Sequence, residues 1–389
     1  MATQRVNLFL FKCIAILLLF IGLEVTGYTA LWLSSRNTDF LSNKNYFRIR
    51  DMLSGNKDPE HLPRYLSLPY LGYVPYPGYA TGGILQHNND GYRGNRISRK
   101  LNSKLRILCI GGSTTYGLGV DSPSQTYPAR LEKQLSWFIG HDSSLSAHYT
   151  GVEVLNAGLE AGNSAEELQQ YIFKYSYYRP NVVVVNSGVN DALLAANASA
   201  DFQPDYTHYR RINFHIEPLP LPARWMMRSC FFSYLAIRLF YSDFSGRRDE
   251  FAHQKNILFP HWANMNLDGI LEKKEYENYP FYKNSRILYE QIIKDGALLL
   301  VIPNVLNQNS EFVRQNDKYR NLVVMNELLS KTLAGQVGGV VVPFSFDSIK
   351  NKNCWIDDCH LNAEGEANKA AILFQVVVNA MHGQIKTQK

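Results

Sequence analysis

The chain has 389 residues, 46% hydrophobic and 19% charged, with a formal net charge of +6, which fits a folded protein with one sizeable core, as one α/β domain with additions or as two domains. Five cysteines are too few for a disulfide scaffold, and no paired CxxC clusters offer structural zinc. The basic pairs Arg210-Arg211, Arg247-Arg248 and Lys273-Lys274 are scattered and carry no nucleic-acid motif; they read as solvated surface, with contact to an anionic membrane or polymer as the alternative. No repeat of about 20–50 residues and no low-complexity tract is present.

At the N-terminus, Cys13 to Leu23 is an uninterrupted apolar run preceded by Arg5 and Lys12. Extended to Leu33 it is long enough to cross a bilayer, at the cost of including Glu24. A signal peptide and an uncleaved anchor both fit. The poor cleavage sites near Gly27 and Ala30, and Tyr28 and Trp32 at the level of an interfacial aromatic belt, favour an anchor through residues 6–33. Positive charge on both flanks (Arg36, Lys44, Arg48 and Arg50 follow the run) leaves the charge count undecided. The short basic leader resembles an export signal and places the rest of the chain outside the cytoplasm.

Residues 34–104 are rich in Tyr, Pro, Gly and Asn and read as an extended lead-in packed on the main domain, with a turn at Asn89-Asp90-Gly91. From residue 105 short apolar runs alternate with amphipathic stretches. Leu105–Ile110, Val152–Leu155, Val182–Val185, Ala297–Ile302 and Val340–Phe344 are the strand candidates. Their continuous apolar character suits strands buried on both faces. Helices are expected over Tyr127–Phe138 with Thr126 as cap, after Ser164 with Glu167 completing a capping box, and over Ala363–Met381. The alternation predicts an α/β fold with a doubly wound, mostly parallel five-stranded sheet, helices on both faces, and the N-terminal membrane helix in addition. The expected organisation is a membrane segment at 1–33, the lead-in at 34–104, the main domain at 105–194 and 290–382, and an insertion at 195–289.

That insertion contains an aromatic stretch, Pro218–Tyr241, whose Arg224, Arg228 and Arg238 argue against a second membrane span. A cap or lid over the site and a plain structural elaboration both remain open for it. Asn197-Ala198-Ser199 matches a glycosylation sequon, a pattern short enough to arise by chance. Cys354 and Cys359 bracket the loop C-W-I-D-D-C, and their spacing is compatible with a disulfide or with two thiols.

Four blocks carry chemistry. The first strand runs into Gly111-Gly112-Ser113, the second into Asn156 to Ser164, and the third into Gly188-Val189-Asn190-Asp191; Asp357-Asp358-Cys359-His360 precedes the last helix. Each lies where open α/β sheets build their sites. No Gly-Lys-Ser/Thr follows the first block, which excludes the usual phosphate loop, and the G-x-S-x-G elbow of α/β-hydrolases is absent.

These blocks resemble those of the SGNH, or GDSL-type, hydrolase superfamily over roughly residues 70–194 and 290–380, with Gly-Gly-Ser in place of the usual Gly-Asp-Ser. The resemblance implies a three-layer, flavodoxin-like fold. It implies Ser113 as nucleophile and Asp357 and His360 as its activating pair, with Ser113, Gly162 and Asn190 supplying the oxyanion hole. A serine hydroxyl needs a neighbouring base, and a carboxylate three residues before the histidine can fix its tautomer. No cofactor and no metal is implied, and Asp358 is assigned to capping or solvating its loop. The expected activity is that of an esterase acting on an acyl ester, on a carbohydrate or lipid. An acyltransferase working through the same acyl-enzyme, and a non-catalytic membrane-anchored binding or scaffold protein, are the alternatives.

Overall fold

The protein is described from a computed structural model covering residues 2–36, 46–56, 58–59, 62, 64–68, 70–98, 103–197, 206, 219–241, 267–272, 275–349 and 352–387. Helices α1 (Ala2–Ser34) and α2 (Tyr46–Ser54) precede a hairpin of β1 (Tyr65–Leu68) and β2 (Gly72–Pro75). Then follow β3 (Leu105–Gly111), the single turn α3 (Ser113–Tyr116), α4 (Tyr127–Ile139), β4 (Val152–Gly158), α5 (Ser164–Gln170), β5 (Val182–Asn186) and α6 (Val189–Asn197). The remainder comprises α7 (Leu221–Met226), α8 (Cys230–Ala236), α9 (Pro280–Lys294), β6 (Leu298–Val301), α10 (Asp317–Gln336), β7 (Val340–Val341) and α11 (Ala363–Thr387).

Strands β3 to β7 form one sheet in the order β4-β3-β5-β6-β7, with every neighbouring pair parallel. The expected doubly wound five-stranded sheet is therefore present. Its order reverses at β3, so the crevice beyond the carboxyl ends of β3 and β5 is the switch point at which such sheets bind ligands. Register aligns the strand ends there: Gly111 pairs with Gly158 on one side and with Asn186 on the other.

Strand side chains alternate between two cores. Leu108, Ile110, Val183, Val185, Leu299 and Val301 meet α6, α9 and α10 on one face. Ile107, Cys109, Val182, Val184, Leu300 and Ile302 meet Leu131 and Leu135 of α4 and Leu373 and Val377 of α11 on the other. Val182 to Val185 are all fully buried, and each such side chain contributes about 1.5–3 kcal/mol relative to exposure. That burial on both faces is why these strands read as continuous apolar runs.

Three local expectations shift. The capping box of α5 is Asn163 with Glu166, one residue before the Ser164–Glu167 pair, because the Ser164 hydroxyl is taken by Asp191 (2.5 Å). Thr126 stands at the N-cap of α4 without a side-chain cap; its hydroxyl donates to the carbonyl of Pro123 (2.8 Å). The last strand is Val340–Val341, shorter than Val340–Phe344: it is an edge strand, and Pro343 has no N–H with which to extend the ladder. Helix α9, which packs on the sheet through Phe281, Leu288 and Ile292, begins at Pro280, ahead of the expected boundary at 290. About half of the expected cap or lid lies outside the described residues, at 198–205, 207–218, 242–266 and 273–274. So do the three basic pairs, and Ala198 and Ser199 of the sequon.

The lead-in is interior as much as surface. Arg93 donates to the carbonyls of Gly117 (3.0 Å) and Val120 (2.5 Å) and lies 4.4 Å over the Tyr116 ring. His87 joins the carbonyl of Tyr76 (2.9 Å) to the hydroxyl of Tyr116 (2.8 Å). Burial pushes the His87 imidazole down to about 3, so the neutral ring donates through Nδ1 to Tyr76 and accepts at Nε2 from Tyr116.

Candidate active site

Strand β3 delivers Ser113 into the switch-point crevice as the first residue of α3, with its side chain largely buried. The turn is tight because β4 lies against it. A Cβ on Gly158 would stand 2.1 Å from the backbone nitrogen of Tyr116, so no larger residue fits there. A Cβ on Gly112 would stand 2.6 Å from the Asn190 amide nitrogen.

His360 comes from the opposite end of the sequence. The bridge between Trp355 and Leu361 and the bond from the Ile356 N–H to the His360 carbonyl (2.9 Å) fold residues 355–361 into a narrow loop. Asn362 caps α11 behind it, accepting from the N–H groups of Glu364 and Gly365 (3.0 and 3.1 Å). The loop is pinned from β6's side by Asn307, whose amide donates to the Asp357 carbonyl (2.9 Å) and whose N–H donates to that of Asp358 (2.8 Å).

The result is an unbroken chain. Asp357 Oδ2 lies 2.7 Å from His360 Nδ1, and His360 Nε2 lies 2.7 Å from Ser113 Oγ. The other carboxylate oxygen of Asp357 accepts from the N–H groups of Cys359 (2.9 Å) and His360 (2.8 Å). Burial pushes the Asp357 carboxyl up, but these hydrogen bonds and the His360 charge outweigh it and hold the group below the usual carboxylate range. Asp358 faces elsewhere and accepts from the Tyr319 hydroxyl (3.2 Å).

Asn190, at the second position of α6, donates through its side-chain amide to the Gly162 carbonyl (2.7 Å). A primary amide has two protons, and this bond uses one. Among the described residues the backbone N–H of Ser113 has no acceptor, as befits the first turn of a helix. The N–H of Gly162 closes a turn onto the Leu159 carbonyl (2.9 Å), with Ala161 in the left-handed region at φ 56°. The fold thus gathers Ser113, Asp357, His360 and Asn190 with two donors free near the serine, and it brings Gly162 alongside as the residue whose carbonyl holds Asn190. Loop and helix are tied by Asp191, which accepts from the Ser164 N–H and hydroxyl and from the Tyr206 hydroxyl (2.5 Å).

Sequence reasoning missed the support beneath the serine. Lys369 of α11, almost fully buried, donates to Asn186 Oδ1 (2.7 Å) and to the Thr114 carbonyl (3.4 Å). Its neighbour Glu366 accepts from the Tyr127 N–H (2.5 Å). Burial pushes the Glu366 carboxyl up and the Lys369 ammonium down, each countered in part by the charge of the other. A signal was available: Glu366 and Lys369 share the helix face of Ala370, Leu373 and Val377, and a charged pair on an apolar stripe must be partnered inside.

Asp357, Cys359 and His360 bring a carboxylate, a thiol and an imidazole within 4.8 Å of one another, a set that the sequence did not advertise as metal ligands. It suits a metal poorly. Burial pushes the Cys359 thiol well up, so it stays protonated, and the other two groups are bonded to each other. Cys354 and Cys359 are both free thiols. A concavity lined by Arg179, Asn181, Gln291 and Asp295 lies at the amino ends of the strands, away from Ser113.

The sheet order and the serine, imidazole and carboxylate gathered at the switch point put this site where flavodoxin-like sheets bind ligands. The sequence pattern of the GDSL-like Lipase/Acylhydrolase family matches residues 109–367, and the chain belongs to that family. No curated protein matches it. Similar solved structures include a putative lipolytic protein of the G-D-S-L family from Desulfitobacterium hafniense DCB-2, 11% identical over 70% of this chain and 99% of that one, with a TM-score of 0.39. Others are the lipase/acylhydrolase from Enterococcus faecalis (13% identity, 70% and 94% covered, TM-score 0.39) and the psychrotrophic esterase EstA from Pseudoalteromonas sp. (10% identity, 72% and 100% covered, TM-score 0.40).

Proposed function

We propose that this hydrolase is a serine esterase that cleaves an acyl ester through an acyl-enzyme on Ser113. The observation that carries the reading is the continuous Asp357–His360–Ser113 chain, with both links at 2.7 Å. His360 Nε2 takes the Ser113 proton as Oγ attacks the ester carbon, and the carbonyl oxygen becomes an oxyanion. The Ser113 N–H and the second Asn190 amide proton stabilise that charge; one such donor is worth about 2.7–4 kcal/mol. Collapse breaks the bond to the alcohol, which leaves with the proton from His360. Water then repeats the sequence on the acyl-enzyme, giving its proton to His360 and releasing the acid and free Ser113. Asp357 keeps the Nδ1 proton in place and compensates the imidazolium in both halves.

The substrate belongs to the esters of carbohydrates or lipids met outside the cytoplasm, with α1 as an uncleaved anchor. Support for the anchor comes from packing as well as hydropathy: Leu31 is fully buried among Ile49, Met52, Leu53 and Met227, so cleavage beyond it would open a core. The test is fluorophosphonate labelling of the full-length protein in detergent, with hydrolysis of p-nitrophenyl esters of graded chain length. Wild type labels and turns over; Ser113→Ala folds, does not label, and loses about four orders of magnitude or more in kcat. Retained turnover in Ser113→Ala, or no labelling of folded wild type, overturns the assignment.

A further inference from the structure

The C-terminal third of α1 is not a bare apolar rod. Glu24, Gly27 and Leu31 fall on one helix face, and that face is covered by residues 219–241 and α2. The Glu24 carboxylate accepts from the Ser229 hydroxyl and from the Cys230 N–H (2.7 Å), so the one acid of the apolar run sits at the amino end of α8. A Cβ on Gly27 would stand 2.3 Å from the Phe231 nitrogen. Close backbone contact across a small residue is the way helices associate in lipid. Arg50 of α2 adds bonds to the carbonyls of Met227 (3.0 Å) and Arg228 (2.9 Å).

The outer side of this element is apolar and uncovered. Trp225 is 63% exposed, Leu239 71% and Phe240 76%, with Leu221, Met226 and Phe232 beside them in sequence. Cys230–Phe240 forms one apolar helical stretch, too short to cross a bilayer. Arginines accompany the aromatics: the Arg228 guanidinium lies 4.2 Å over the Trp225 ring, and Arg224 and Arg238 flank it in sequence. Apolar and aromatic surface edged by arginine is the composition of helices that lie in a membrane interface. Depth agrees. Gly27 is seven residues before the end of the apolar span Phe9–Ser34, about 10 Å along the helix, which puts the contact just below the headgroup–acyl boundary on the side of the catalytic domain, within the depth of about 5–10 Å to which interfacial helices sink their apolar faces.

We propose that residues 219–241 are a second membrane element, a short helical pair lying in the bilayer interface beside α1 and docked to it through Glu24 and Gly27. Its partner is the phospholipid surface, and the surface it offers is continuous with the lipid-facing side of α1. The element holds the hydrolase domain at two points, which restricts its tilt over the membrane; a single helix followed by a linker would leave it free to swivel. The inference rests on α1 being an anchor and is independent of the reaction.

Full-length protein in vesicles of phosphatidylcholine and phosphatidylglycerol, carrying a phospholipid with a diazirine in its acyl chain, is irradiated, digested and mapped by mass spectrometry. Adducts are expected in α1 and in 219–241, and none in α4, whose Trp137 is 66% exposed to water and serves as control. Adducts in α1 alone overturn the proposal. Adducts in neither overturn the anchor reading and the proposal with it.

Discussion

At the carboxyl edge of the sheet, side chains from distant segments meet because each stands within a few residues of a strand end or of α11. Around the end of α1 the contacts join helices with no regular frame between them: Glu24 reaches Ser229 and Cys230, and Leu31 reaches Met227 and Ile237. The first region is held by ladder register, the second by one carboxylate, one glycine, the Arg50 bonds and a small apolar cluster. A site placed by register tolerates loss of a side chain with its geometry kept, so its variants should fail in chemistry. A module placed by few contacts should fail in assembly while chemistry survives.

The sharpest test of that contrast lies at the edge itself. Asp357→Asn should lower kcat about 10⁴-fold with the thermal midpoint little changed, while Asp358→Asn, whose side chain faces Tyr319 and not His360, should stay within about tenfold of wild type. Steady-state rates and melting curves of the two variants decide it; equal effects would remove Asp357 from its role. Asn190→Ala comes next, at about 10²–10³-fold in kcat. Gly162→Ala should act through Asn190, since a Cβ there meets Leu159 at 2.9–3.0 Å; adding the Asn190→Ala change to it should cost less than the two separate losses combined. A multiplicative double variant would show that Gly162 acts on its own.

Gly27→Leu addresses the other region. It should loosen the 219–241 element by about 1–3 kcal/mol, read as faster proteolysis of that segment in detergent, with esterase kcat unchanged. A fall in kcat would mean that the two regions are coupled. The last test belongs to the lead-in. His87 has a folded value of about 3, below that of a free imidazole, so its contribution to stability is complete above about pH 6.5 and is lost as pH falls towards 3. Across that window stability should fall by up to about 1.4 kcal/mol per pH unit from this group, a slope that His87→Gln should remove in urea titrations.

The sheet was legible because strands buried on both faces leave an unbroken apolar signature, and the candidate site because three of its four blocks follow such a strand and the fourth precedes the last helix. Val340–Phe344 was overread since apolar content continues past the point where Pro343 ends the ladder. The α5 cap was misplaced by one residue because Ser164 and Asn163 are both competent caps, and only the tertiary bond to Asp191 decides between them. Arg93, His87 and Lys369 support the serine from far away in sequence, in segments with no motif; nothing local reports which carbonyl a buried cation will meet. Glu24 read as a blemish in an apolar run, and its partners lie about 205 residues away.

The bond between His360 and Ser113 joins residues 247 positions apart. Translation at about 5–20 residues per second separates their emergence from the ribosome by roughly 12–50 s. Through that interval the nascent chain carries the Ser113 hydroxyl without the His360 imidazole. On the proposed mechanism, hydrolysis therefore waits for the C-terminal segment, where α11 carries the imidazole loop at its head and Lys369, which lies under the serine.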